Sequence, residues 1–269
     1  MNYQHSFHAC NFADVLKHLV FLYALDYMKK KPAPFFVLDT HAGAGLYDLQ
    51  GDQANKTNEA FYGVLKLRGA NVPHSSLLKV YLDTVEPYLE NGFYPGSPQL
   101  AADSLRPQDV LRLTELHPVV FDSLAEHVKG QCAIHRRLQD GYEALRAYLP
   151  PQQRRGIVLI DPPFEDHDEF SKMTQHIEQA FARFSQGIFL IWYPIKDKKA
   201  VDLFRTNMKA IGVEQLDITI QLLDPLFRDK LNHTGLYVLN PPYLLDQTLE
   251  EIKPMLQQLL GAKLHISRF

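Results

Sequence analysis

The chain predicts a doubly wound α/β fold with a mostly parallel sheet, on two observations. Short apolar runs such as Gly156-Ile157-Val158-Leu159-Ile160 are β-branched and uncharged, as strands buried on both faces are. Such runs alternate with amphipathic helical stretches through the second half of the chain. With 269 residues, 46% of them hydrophobic and 22% charged, the chain can bury a full core, and one domain with a small insertion fits better than two independent domains.

The first element is a strongly periodic helix with Asn11 as its N-cap. Phe12, Val15, Leu16, Leu19, Leu22 and Tyr23 share one face, Lys29-Lys30-Lys31 stand in the last turn, and Pro32 and Pro34 end it. Strand 35–39 then runs into Thr40-His41-Ala42-Gly43-Ala44-Gly45, whose glycines let the backbone turn sharply and approach a ligand. The following stretch shows helical patterns around 57–67 and 75–89 but no convincing strand. Residues 47–96 are therefore expected to form a helical insertion in a core built from 1–46 and 97–269. Ser97-Pro98 reads as a helix start with Ser97 at the N-cap. Strands are expected near 110–116, 133–137, 156–160, 187–193, 214–222 and 235–239, with helices over 167–184 and 197–211 among the connections and one last helix after Tyr243.

Composition excludes some classes. No apolar stretch approaches the roughly 20 residues that span a bilayer, and no basic-then-apolar leader opens the chain, so a cytoplasmic protein is expected. Cys10 and Cys132 are too few for a disulfide framework. The formal net charge of −3 argues against a wholly basic nucleic-acid binder. It leaves room for local basic paths at Lys29 to Lys31, Arg136-Arg137, Arg154-Arg155 and Lys196 to Lys199, each of which is also readable as a solvated helix end or loop.

The most informative motif is Asp161-Pro162-Pro163-Phe164, at the carboxyl end of a buried strand, where open α/β sheets bind ligands. The Asp161 carboxylate and the Pro162 carbonyl are suited to accept both hydrogens of an exocyclic amine, the prolines stiffen the loop, and Phe164 offers a ring on which a base can stack. Asn240-Pro241-Pro242-Tyr243 is a second copy of the pattern. It stands near the C-terminus and reads as a turn into the final helix.

The Gly43 loop lacks the third glycine of a dinucleotide site, with Asp48 in its place, where it would repel a pyrophosphate. A phosphate-free cation, S-adenosylmethionine, suits Asp39 and Asp48 better. Glu115 matches the acidic residue that grips ribose hydroxyls, and Asp140-Gly141 follows the next strand, placed to accept from an adenine amino group. Glu115 is also readable as a solvated strand end and Asp140 as a helix cap.

Residues 3–18, Tyr3-Gln4-His5-Ser6-Phe7-His8 through Lys17-His18, closely resemble the start of the bacterial ribosomal RNA large-subunit methyltransferase J family. Asp39 to Gly45, Tyr94-Pro95-Gly96-Ser97-Pro98, Glu115-Leu116-His117-Pro118, Asp140-Gly141 and the Asp161 tetrapeptide extend the resemblance over nearly the whole chain. It implies a Rossmann-like class I methyltransferase that uses S-adenosylmethionine, leaves S-adenosylhomocysteine, and methylates N6 of one adenine in 23S ribosomal RNA. By that resemblance His18, His41, Gly43, Ser97, Glu115, Asp140, Gly141 and Asp161 line the cofactor site, and Tyr3, His5 and Lys17 lie near the target base. The family more often has Tyr where this chain has Phe164, which keeps the stacking ring and removes a hydroxyl.

The histidines His5, His8 and His18 with Cys10 match no structural zinc spacing, so no metal is expected. A monomer acting on 23S ribosomal RNA, without a membrane partner, is expected. Three rival readings stand beside it: methylation of adenine in DNA or of a glutamine amide, a nicotinamide-dependent oxidoreductase, and a non-catalytic RNA-binding module.

Overall fold

Side-chain alternation along a few buried strands decides which residues meet in this molecule. The computed structural model describes residues 10–49, 62–224 and 231–269, so Tyr3, His5 and His8 lie outside the described residues. In chain order the first elements are α1 (Phe12–Lys29), β1 (Phe36–Asp39), β2 (Leu46–Asp48), α2 (Val64–Leu67), α3 (Leu77–Glu90), β3 (Phe93–Pro95), α4 (Ser97–Ser104) and β4 (Val110–Glu115). Then come α5 (Pro118–His127), β5 (Ala133–Leu138), α6 (Gly141–Tyr148), β6 (Gly156–Ile160), α7 (Glu169–Arg183), β7 (Ile188–Pro194), α8 (Lys198–Ala210), β8 (Gln215–Leu222), β9 (His233–Leu239), α9 (Leu245–Leu260) and β10 (Ala262–Arg268).

Among the described residues one sheet runs β10-β8-β9-β7-β6-β1-β4-β5. β5, β4, β1, β6 and β7 are mutually parallel, and β9 runs against both of its neighbours. The sheet separates two apolar layers. In β6, Ile157 and Leu159 join the cluster containing α1, α3, α4 and α9, whereas Val158 and Ile160 join the cluster beneath α6, α7 and α8. β1 and β7 divide in the same way, Val37 and Leu190 on the first face, Leu38 and Ile191 on the second, as a two-residue period requires. Continuing that alternation past Leu38 and Ile160 turns Asp39 and Asp161 toward the face covered by α1.

The buried strands lie where their apolar runs predict them, to within one or two residues, and α1 begins at Asn11, whose side chain accepts from the amides of Ala13 and Asp14. Three expectations are corrected. Residues 46–96 do hold strands: β2 and β3 pair antiparallel, Tyr47 opposite Tyr94, and bring the two ends of the intervening chain together. Ser97 is not a cap. Gly96 holds that position, and the buried carboxylate of Asp39 takes the Ser97 hydroxyl at 2.6 Å. Finally, α9 does not end the fold. Gly261, at φ 65°, closes it in a left-handed turn, and β10 follows and pairs antiparallel with β8.

The reversed direction of β9 separates the two proline motifs. Leu239 pairs with Phe189, near the start of β7, so Asn240 emerges at the rim opposite Asp161. There the Asn240 side-chain amide donates to the carbonyls of Ser185 (2.7 Å) and Gly187 (2.9 Å), and its backbone sits at φ 52°. Asn240→Ala is expected to lower unfolding free energy by roughly 1–3 kcal/mol in urea titrations, because it removes two hydrogen bonds and the asparagine tolerance of positive φ.

Candidate active site

His18, His41, Gly43, Ser97, Glu115, Asp140, Gly141, Asp161, Pro162, Phe164 and Lys17 open onto one cavity of about 460 Å³ at the carboxyl end of the parallel strands; Asp39, fully buried, and Asp48, both expected beside the cofactor, are not part of its wall. Gly43 and His41 arrive on the β1 loop, Glu115 on β4, and Asp140 and Gly141 after β5. Asp161, Pro162 and Phe164 leave β6, Ser97 starts α4, and Lys17 and His18 come from the first turns of α1. Tyr3 and His5 lie outside the described residues.

One half of the cavity is built from backbone amides on carboxylates. Glu115 accepts the Gly43 amide on Oε2 (2.9 Å) and the His117 amide on Oε1 (2.8 Å), which fixes its carboxylate and leaves lone pairs for hydroxyl donors. Asp140 caps α6 by accepting from Tyr142 and Glu143 through Oδ1. It is therefore a cap and also a cavity-lining carboxylate. Gly141 is forced: a Cβ there would stand 2.3 Å from the Thr40 carbonyl and 2.7 Å from the His41 ring. Gly43 takes φ 64°, where only glycine is at ease.

The other half centres on a buried charge cluster. Lys17, 4% exposed, reaches Asp14 Oδ1 at 2.7 Å and also contacts Asp161 Oδ2. Burial disfavours its ammonium, yet the two carboxylates more than offset this and hold its pKa above the ordinary lysine range. Asp39, fully buried, is pushed up to about 7 by desolvation; the Ser97 hydrogen bond opposes that rise and the nearby Asp161 charge adds to it. Asp39 Oδ1 has no hydrogen-bond partner among the described residues. His41 is pulled down to about 4 by burial, against the attraction of Asp161 and Asp140, and is neutral at physiological pH. His18 shares a 2.7 Å hydrogen bond with the Tyr94 hydroxyl, which in turn meets Tyr81 at 3.1 Å.

The tetrapeptide loop is held by its aromatic neighbours. Phe164 adopts φ 52°, an outlier for a bulky residue that persists only where surroundings enforce it. Its ring is met edge-on by Phe170 (4.8 Å between centroids) and Trp192 (5.7 Å).

Three contributors escaped the sequence reading. Asp14 is 2% exposed: Oδ2 accepts the Cys10 amide at 2.7 Å and Oδ1 receives Lys17. Tyr94 orients His18 from β3. Tyr142 lines the cavity with its edge against His41 and donates to Glu169 at 2.5 Å. The spacing of Asp14 and Lys17, three residues apart on one helix, was the available signal.

Mostly parallel strands with two reversed members, β9 and β10, and an acidic cavity at the carboxyl end of the parallel set define a Rossmann-like α/β fold of the class I methyltransferase type. The family model described as "Ribosomal RNA large subunit methyltransferase D, RlmJ" matches residues 32–268. A "Ribosomal RNA large subunit methyltransferase J" of Escherichia coli (strain K12) is 36% identical over 265 residues, 97% of this chain and 94% of the relative. Its namesake in Haemophilus influenzae is 34% identical over the same share of each chain. The crystal structure of protein LPL1258 from Legionella pneumophila superposes with a TM-score of 0.89 at 32% identity, covering 97% of this chain and 98% of that one. The chain belongs to the ribosomal RNA large subunit methyltransferase J family.

The depressed His41 makes stability pH-dependent. Its folded pKa lies below the unfolded value, so the unfolded chain binds the extra proton and the contribution of this group to stability falls as pH drops from about 6.5 to 4, while the raised Asp39 carboxyl contributes in the opposite direction as pH drops below about 7. His41→Gln is expected to flatten that fall by roughly 1–3 kcal/mol in denaturant titrations at pH values across the window.

Proposed function

We propose that this protein transfers the methyl group of S-adenosylmethionine to the N6 amine of an adenine in 23S ribosomal RNA. One observation carries the reading: the Asp161-Pro162-Pro163-Phe164 loop opens onto the same cavity as Glu115 and Asp140. An acceptor for an amine and a set of cofactor acceptors thus share a single enclosed space.

The residues present fit the cofactor. Carboxylates outnumber lysines along the cavity wall, which favours a cationic sulfonium and ammonium over a phosphate. Glu115 keeps acceptor capacity for ribose hydroxyls, Asp140 stands beside them for an adenine amino group, and the unsatisfied Asp39 oxygen suits a positive charge. His18, His41, Gly43, Ser97 and Gly141 complete the wall. When bound, S-adenosylmethionine supplies an electrophilic methyl group on cationic sulfur.

The chain's own groups then orient the acceptor. Asp161 and the Pro162 carbonyl take the two amine hydrogens, turning the nitrogen lone pair toward the donor and stabilising the positive charge that develops on it. Asp161 does not need to deprotonate the amine first, since a carboxylate is too weak a base for that. The proton leaves after transfer, to Asp161 or to water. Phe164, fixed between Phe170 and Trp192, is the platform on which the extracted base lies, worth roughly 1–3 kcal/mol of stacking. Tyr3 and His5 are assigned to the base by family resemblance, and Lys17 by its contact with Asp161.

Lys172 and Lys196 on the cavity rim, followed by Lys198 and Lys199 at the start of α8, provide positive charge for flanking phosphates despite the net negative chain. A ribosomal RNA substrate assigns the enzyme to the cytoplasm, and a monomer is the assembly we assign to it. Residues 47–96 are assigned as the inserted subdomain, contributing Tyr47 and Gly96 to the wall.

Labelled S-adenosylmethionine incubated with RNA and DNA from cells lacking the protein is expected to yield labelled N6-methyladenine in 23S RNA alone. Label in DNA or in protein would overturn the assignment. Asp161→Ala should reduce turnover at least about a thousandfold while cofactor affinity changes by less than about tenfold.

Cofactor binding is expected to release protons. Asp39 sits near 7 in the free protein and is drawn to its charged form by a bound cation, so affinity rises as pH increases from about 6 to 8. Calorimetry in buffers of differing ionisation enthalpy should show up to about half a proton released near pH 7, rising toward one near pH 6, abolished in Asp39→Asn. Buffer-independent heats would count against it.

A further inference from the structure

We propose that Asp14 is a positioning residue for the reaction: it retains the Lys17 ammonium when Asp161 exchanges that contact for the amine of the target base. The proposal rests on the reading of Asp161 as the amine acceptor.

The two carboxylates that hold Lys17 differ in kind. Asp14 and Lys17 lie three residues apart on α1, so that pair moves as one body, whereas Asp161 belongs to the loop after β6 and meets Lys17 only across the cavity. Asp14 is also locked, since Oδ2 accepts the Cys10 amide at 2.7 Å while Oδ1 takes the ammonium at 2.7 Å. Asp161, with 15% of its side chain exposed into the cavity, is engaged by Lys17 through Oδ2. One partner is therefore permanent and the other exchangeable.

An exchange of this kind has a constraint. A lysine buried to 4% and held by Asp161 alone would lose its only counter-charge whenever the carboxylate turned to the base, and an uncompensated buried ammonium is strongly disfavoured. With Asp14 in place the ammonium stays paired throughout. The cluster still keeps a net negative charge, which suits the positive charge arising on the amine. Among the described residues, Asp39 and His41 also face Asp161, and Asp39 and Tyr47 also face Lys17; none of them lies on α1.

Asp14→Asn preserves an oxygen for the Cys10 amide and removes the charge together with the acceptor offered to Lys17. It should lower kcat about tenfold or more, while cofactor affinity and KM for RNA stay within about threefold. Lys17 then loses part of its compensation, so an alkaline loss of rate that the parent enzyme does not show up to about pH 10 should appear in the variant, and Asp14→Glu should restore most of the rate. A packing role predicts none of the last two effects. An unchanged kcat, or a lowered kcat with no new alkaline loss and no rescue by glutamate, overturns the proposal.

A second measurement leaves Asp14 intact. In Asp161→Asn, nitrogen NMR of labelled lysine should show Lys17 still protonated at about pH 9, below the ordinary lysine value of about 10.4, because Asp14 suffices. A neutral Lys17 in that variant refutes the role of Asp14. Full turnover by Asp161→Asn would instead refute the acceptor reading on which the proposal rests.

Discussion

Two carboxylates buried on adjacent parallel strands have to be neutralised from outside the sheet, and that requirement shapes the site. Asp39 and Asp161 end β1 and β6 on the same face, because both strands alternate in step. α1 supplies Lys17 to one and α4 supplies Ser97 to the other. The remaining imbalance is visible in Asp39, whose carboxyl is held near neutrality in its proton affinity. An acidic pocket with charge in reserve suits a ligand that arrives positive and leaves neutral, which is the direction of charge change in methyl donation from a sulfonium.

The site also divides its rigid and exchangeable parts. Backbone amides on Glu115 and the cap at Asp140 are fixed by strand ends and a helix start, so that side of the cavity is preorganised. Elsewhere on the wall Phe164 is set by two aromatic neighbours at a backbone angle that it would not choose alone. The ion pair across the cavity joins elements still farther apart in the chain, Lys17 and Asp161 being 144 residues distant.

Much of this was readable from residues, and the failures have physical causes. Gly156 to Ile160 announces itself because a strand covered on both faces carries no polar residue. The family motifs at Gly43, Glu115, Asp140 and Asp161 follow successive strand ends, and one parallel sheet brings all such ends together. Ser97 was misread since a serine before proline has the signature of a helix cap, whereas the competing acceptor, Asp39, is 58 positions away. β2 and β3 span three residues each, too few for a period to emerge. β10 does alternate, with Ala262 and Leu264 buried between exposed Lys263 and His265, and was legible but overlooked behind the preceding helix. Asp14 was passed over because its burial follows only once α1 is laid on the sheet.

The pairing of Tyr47 with Tyr94 has a consequence for how this architecture can vary. Since β2 and β3 clasp the two ends of the inserted chain beside each other, the catalytic framework perceives that segment as a closed staple of constant width. Whatever lies between can lengthen or shrink at a cost that grows only slowly with loop size. The demand on it is local: present one tyrosine hydroxyl to His18 and cover the neighbouring apolar surface of α1. Descendants of this scaffold are thereby free to exchange the cassette for new contacts with a large substrate while leaving the chemistry undisturbed.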